Sequence, residues 1–193
     1  MLCMGQSAPV EARYTSHAYF DLVETGDLHA DDRVELLEGV IVAMSPQNPR
    51  HASATTRVDT ALRQTVAGRA VVRVQLPLIT GAYSVPEPDV AVVPGQDSDY
   101  DDVHPTAALL VVEIADSSLL QDRLTKAAIY AAAGIPQYWL VNLRDDCVEV
   151  FSAPSSGMRS YAERRVARRG ERLDVAALPG AFVHVDDMLP SGR

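Results

Sequence analysis

Ala107-Ala108-Leu109-Leu110-Val111-Val112-Glu113-Ile114 is apolar at successive positions until Glu113. An extended chain points alternate side chains to opposite faces, so this run has no face suited to water and reads as a central, fully buried strand. Ser118 to Ala133 then reads as a helix, with Ser118 and Gln121 spaced as a capping box. Gly134 and Pro136 end it. Gln137–Leu143 and Cys147–Ser152 read as two strands joined across Arg144-Asp145-Asp146. Strand, helix and strand in this order predict a mixed sheet with helices on its faces.

Outward from this centre, residues 1–13 read as a disordered tail. Tyr14 to Thr25 reads as a helix, capped by Thr15 or Ser16 and stopped at Gly26. Val34 to Met44 has strand character, interrupted by Gly39. After Pro46 and Pro49, His51 to Val66 reads as a helix with Ala54, Val58, Ala61, Leu62 and Thr65 on one face. Strands are expected at Val71–Leu76, Leu78–Tyr83 and Val90–Val93. The last comes after Pro86-Glu87-Pro88-Asp89, which two prolines bar from a helix interior. Pro94 to Pro105 reads as a solvated acidic loop. Met158 to Leu189 predicts another β pair and a short closing segment. With no repeat and no linker, residues 14–193 form one expected domain.

The 193 residues suffice for a substantial core. Two distant cysteines make neither a disulfide framework nor a zinc site. No signal peptide and no membrane-spanning run is evident, so a reducing cytoplasm is the expected setting. The net charge of −9 argues mildly against tight nucleic-acid binding. Arg159, Arg164, Arg165, Arg168, Arg169 and Arg172 cluster near the C-terminus, where a solvated hairpin face accounts for them. Lys126 is the only lysine in the chain.

Glu113 ends the buried strand, and a buried carboxylate must be paired, hydrogen-bonded or metal-bound. Asp89 opens its own strand behind Pro88. If the two strands are neighbours, both carboxylates converge on one cation. Hard oxygen ligands with room for water and phosphate suit Mg²⁺ or Mn²⁺. Such a metal activates water and stabilises charge at a phosphodiester. Lys126 lies on the helix after Glu113, where its ammonium can orient water or neutralise phosphate charge. The plainer alternative is a surface ion pair with Asp122 at i,i+4.

Pro88-Asp89, Glu113-Ile114-Ala115 and a helical Lys126 resemble the PD-(D/E)XK nuclease superfamily. More narrowly, the chain resembles the Uma2 family (DUF820) of restriction-endonuclease-like proteins. The stretches that carry this are Arg33 to Gly39, Ser45-Pro46 with His51, and Glu87-Pro88-Asp89-Val90. Leu110 to Ile114 with Ser117, Asp122 with Lys126, and Tyr130 to Gly134 extend it. Ile135-Pro136-Gln137-Tyr138-Trp139-Leu140-Val141 is the most specific.

The resemblance implies an α/β (α+β), restriction-endonuclease-like fold: a mixed central β-sheet flanked by helices, with extra C-terminal strands. It implies a Mg²⁺- or Mn²⁺-dependent endonuclease acting on DNA. Asp89 and Glu113 would be metal ligands, and Glu35 an extra carboxylate near the metal, with Glu38 an alternative. The superfamily's lysine, two positions after the glutamate, is here Ala115, so the resemblance moves that role to Lys126. It gives His51 a place near substrate, against a plain role as cap or surface residue. Asp116 joins the metal shell or caps the helix. Gln137, Tyr138 and Trp139 pack the sheet. A homodimer would supply two sites for two strands. Ala115 and the acidic charge keep open a catalytically inactive DNA- or protein-binding module on the same fold.

Overall fold

Six strands build the central sheet: β3 (Val71–Val74), β4 (Val90–Val93), β5 (Leu110–Ala115), β6 (Gln137–Asn142), β7 (Cys147–Ser155) and β8 (Ser160–Arg168), hydrogen-bonded in that order. The computed structural model describes residues 13–29 and 31–191. Twelve of the thirteen residues of the expected tail lie outside them. Every strand pair is antiparallel except β5 with β6, where Glu113 stands opposite Leu140. A parallel pair needs a crossover, and the helical stretch from Leu119 to Ala132 supplies it. All six β5 residues are buried, as their unbroken apolar run requires.

Alternation along β5 divides the core. Val112 and Ile114 face α2 (Pro49–Val66), packing with Ala54, Val58 and Leu62. Val111 and Ala115 face the opposite way, toward α4 (Ala127–Ala132), packing with Ala127, Ile129 and Tyr130. Glu113 shares that second face by the same period of two. Tyr138 and Trp139 are fully buried in the sheet. α1 (Ser16–Thr25) is capped by Thr15, whose hydroxyl accepts from the Ala18 amide, and ends at left-handed Gly26. α2 starts earlier than expected because Asn48 caps it, with Pro49 in the first turn.

Several expectations are corrected. Val34 to Met44 is not one strand but a hairpin of β1 (Val34–Leu37) and β2 (Val40–Ala43). Glu38 and Gly39 both take positive φ, 52° and 85°, which closes a two-residue turn. Leu78–Tyr83 forms no strand; Gly81 makes only an isolated bridge, to Ser84. The C-terminal part gives β8 and then a separate pair, β9 (Arg172–Asp174) with β10 (Phe182–His184), closed by α5 (Val185–Met188). The arginine cluster is tied down by acids: Arg159 to Glu38, Arg164 to Glu149, Arg169 to Asp146 and Asp186.

The expected helix from Ser118 to Ala133 is broken in register. α3 (Leu119–Gln121) runs into a π-helical turn, Asp122–Lys126, and then into α4. The Ala127 amide reaches back five residues to the Asp122 carbonyl. No capping box forms; the Ser118 hydroxyl instead donates to the Asp122 carboxylate. A π-turn inserts one residue into the helical count and so re-aims the side chains on either side of it.

Leu62 is fully buried between α2 and the sheet. Leu62→Ala is expected to cost about 2–5 kcal/mol through transfer and cavity terms. Thermal unfolding followed by circular dichroism should show the midpoint lowered by about 5–15 °C. A shift under about 2 °C would contradict this packing.

Candidate active site

Asp89, just before β4, and Glu113 on the adjacent antiparallel β5 are cross-bonded, each carboxylate taking a backbone amide from the other segment. The Asp89 amide donates to Glu113 Oε2 at 3.3 Å, and the Ile114 amide donates to Asp89 Oδ2 at 2.8 Å. The β1 hairpin brings in Glu35, whose Oε2 accepts from the Glu87 amide at 3.2 Å. Lys126 Nζ lies 3.0 Å from Glu113 Oε1 and 3.1 Å from Glu35 Oε2. All four residues are buried. The structure therefore gathers Glu35, Asp89, Glu113 and Lys126 at one point. Glu38 stays outside, in the β1–β2 turn, paired with Arg159.

Lys126 is not the surface partner of Asp122 that i,i+4 spacing suggests. Both are buried, and the ammonium bonds to Glu113 and Glu35. Asp116 caps no helix: its carboxylate accepts from Asn48 Nδ2 at 2.6 Å, tying the start of α2 to the end of β5. That tie sets His51, in the first turn of α2, with Nε2 3.2 Å from Asp89 Oδ2. His51 is thus neither a cap nor a surface residue.

Sequence reasoning misses two contacts. The Tyr130 hydroxyl donates to Glu113 Oε1 at 2.6 Å. Its spacing of four from Lys126 on a helix is an available signal. Gln75 Nε2 donates to Asp89 Oδ1 at 3.1 Å from a residue with φ of 51°. Its strand-like context gives no hint of that.

Carboxylates outnumber cations here. Glu35, Glu87, Asp89, Glu113, Asp116 and Asp122 line one recess with Arg33, Lys126 and His51. Burial pushes the Glu113 carboxyl up to about 8; Lys126 pulls it down, but Asp89, Asp122 and Glu35 push it further up. Burial likewise raises Asp122 to about 6, against Lys126 and the Ser118 bond. Burial works against the charged form of Lys126, yet Glu113, Glu35 and Asp122 outweigh it and hold the ammonium charged far above neutral pH. Burial alone would lower His51 and raise Asp89. Their mutual bond and charges reverse both, leaving His51 raised and Asp89 lowered.

A hard divalent cation fits this donor set: buried carboxylate oxygens in excess, with the Glu113 carboxyl raised by burial and by its like-charged neighbours. Among the described residues no three His, Cys, Asp or Glu side chains already form a ligand cluster. Glu35 and Glu113 converge on the Lys126 ammonium instead.

The family model described as "Putative restriction endonuclease", Uma2, matches residues 18–186. The chain belongs to the Uma2 family. Among solved structures it is similar to "a putative nuclease belonging to DUF820 from Anabaena variabilis ATCC 29413", at 18% identity and a TM-score of 0.68, covering 86% of this chain and 94% of that one. At that identity the likeness shows a shared nuclease-type fold: a mixed sheet flanked by helices. No curated protein matches. Among the described residues no helix is long and apolar enough to cross a membrane.

The raised groups set a pH dependence. Glu113, Asp122, Glu87 and His51 all titrate higher in the folded chain, so each contributes stability that is full below its unfolded value and lost as pH rises through its folded value. His104, lowered by burial and Arg73, opposes them in this range. Metal-free protein should therefore lose at least about 1 kcal/mol, or about 2–4 °C in Tm, between about pH 5 and pH 8. Lys126→Met should be more destabilising near pH 8, where Glu113 ionises, than at low pH. Calorimetric scans that show a rising or flat profile would refute this charge distribution.

Proposed function

We propose that this Uma2 protein is a Mg²⁺- or Mn²⁺-dependent endonuclease that hydrolyses phosphodiester bonds in DNA. The observation that carries the reading is the Lys126 ammonium, held by Glu113 and Glu35 beside Asp89 in a buried recess. Asp89 and Glu113 would hold the cation, with Glu35 as the third carboxylate. A divalent ion bound there supplies a Lewis acid for the phosphate and an activated water for hydrolysis.

The chain's own groups do the rest. Lys126 has three N–H donors and gives one each to Glu113 and Glu35, leaving one for a phosphate oxygen or an attacking water. Its fixed charge in a water-poor recess meets negative charge developing on phosphate without rearrangement. Tyr130 and the Asp89 amide hold both oxygens of Glu113, and Gln75 and the Ile114 amide hold both of Asp89. His51, with Nε2 3.2 Å from Asp89 Oδ2, stands at the rim of the recess, where it could pass a proton to a leaving oxygen. A homodimer would present two such sites to the two strands of a duplex, and a reducing cytoplasm suits the buried free Cys147.

One observation favours an inactive binding module on the same fold: the ammonium already uses the carboxylate oxygens a cation would take. Incubation with plasmid and single-stranded oligonucleotides separates the two. Cleavage should require Mg²⁺ or Mn²⁺, stop with chelator, and fall by about 10²–10³-fold in Lys126→Met. Asp89→Asn and Glu113→Gln should also lose cation binding in calorimetric titration. Cleavage unchanged in these variants would remove the assigned site, and wild-type protein that binds no cation would leave the module.

A further inference from the structure

The turn that carries Lys126 is held from behind by a second buried carboxylate. Glu149, on β7, is 1% exposed and lies outside the recess. It accepts from Arg123 Nε at 3.1 Å and from Arg123 Nη2. Arg164 on β8 donates to it through Nε and Nη2 at 3.0 and 2.7 Å, and Asn142 Nδ2 donates at 3.2 Å. Two guanidiniums on one carboxylate exceed what neutrality requires. Arg164 and Asn142 belong to the sheet itself; Arg123 alone belongs to the π-helical turn.

A π-turn is a rare helical state that reverts to α-geometry unless its surroundings hold it. With about 3.6 residues per turn, removing its extra residue rotates one side of the helix by roughly 100° against the other. Tyr130 and Ile129 fix the α4 side in the core, so the rotation would fall on the turn itself. Lys126 could not then keep its bonds to Glu113 and Glu35. The Tyr138 hydroxyl steadies the turn through the Asp122 carbonyl at 3.2 Å. Besides Lys126 itself, Arg123 supplies the turn's charged tether to the sheet.

We infer that Arg123 is a positioning residue: its paired bonds to Glu149 hold the π-helical turn in the register that aims Lys126 at Glu113 and Glu35. Glu149 is the fixed post, and Arg164 and Asn142 bond to it from the sheet side without touching the turn. For its effect on catalysis this inference rests on the nuclease reading; for the aim of Lys126 it does not.

The chain's single lysine makes the test direct, because amine-reactive labelling read by peptide mass spectrometry reports Lys126 alone among side chains. Arg123→Met and Arg164→Met each remove one guanidinium from Glu149 and keep an apolar stem. In metal-free protein, labelling of Lys126 should rise about tenfold or more in Arg123→Met, as local opening of its turn becomes easier. In Arg164→Met it should stay within about twofold of wild type, at comparable melting temperature. On a cleaved substrate, Arg123→Met should lower kcat about 10- to 100-fold with little change in KM, and Arg164→Met should leave kcat near wild type. Equal labelling of the two variants, or protection of Lys126 in both, overturns the inference. So does an exposed Lys126 with undiminished kcat. If wild-type protein cleaves nothing, the nuclease reading fails and the labelling comparison still decides the role of Arg123.

Discussion

One ammonium group, Lys126 Nζ, lies within 3.1 Å of two carboxylates from different parts of the chain. Taking charged groups out of water costs several kcal/mol per ion, and only close geometry with satisfied lone pairs offsets that. The structure meets the condition by convergence. The β1 hairpin delivers Glu35, β5 delivers Glu113, the crossover helix delivers Lys126, and Tyr130 satisfies a further lone pair of Glu113. Breaking any one of these approaches leaves a buried charge unpaired. The hairpin pairs with no strand of the main sheet; backbone bonds between Leu36 and Val85 and from Gly39 to Tyr83 hold it where Glu35 meets Lys126. The cluster is also unbalanced, since Glu87, Asp89, Asp116, Asp122 and His51 crowd the same recess around one lysine.

The helical crossover shows how a local irregularity serves that convergence. A regular α-helix over Leu119 to Ala132 places Asp122 and Lys126 on one face, as a wet ion pair would require. In the π-turn both point inward, and Arg123 points to Glu149. Bonds from Ser118, Tyr138 and Arg123 hold this turn. Irregular helical turns recur at functional sites because they place side chains that a regular period cannot.

Much of this is legible in the sequence where one physical rule dominates. The apolar run before Glu113 reads as a central strand, and Leu110 to Ile114 form one, while Ala107 to Leu109 lead into it and Ala107 is exposed. The helix at Pro49–Val66 shows its apolar face plainly, and Ala54, Val58, Ala61 and Leu62 all pack inward. Glu113, Asp89 and Lys126 stand out by residue type and position, the family resemblance adds Glu35, and the fold brings the four together. What escapes reading depends on tertiary context. Gly39 can interrupt a strand or turn a hairpin, and only the partner at Tyr83 and the positive φ of Glu38 decide it. The π-turn has no sequence mark, because it is maintained by contacts to β6 and β7. Asp116 reads as a cap by position, yet Asn48 is 68 residues away in sequence and 2.6 Å away in space. His51 owes its place beside Asp89 to that same long-range tie.

The central claim is that these carboxylates form a cation centre with Lys126 at its edge. Anomalous scattering from crystals grown with Mn²⁺ tests it most directly. The account predicts a single strong peak bonded to the Asp89 and Glu113 carboxylates, with Lys126 still inside the recess. A peak elsewhere on the protein, or none while Lys126 remains locked between Glu35 and Glu113, would contradict it.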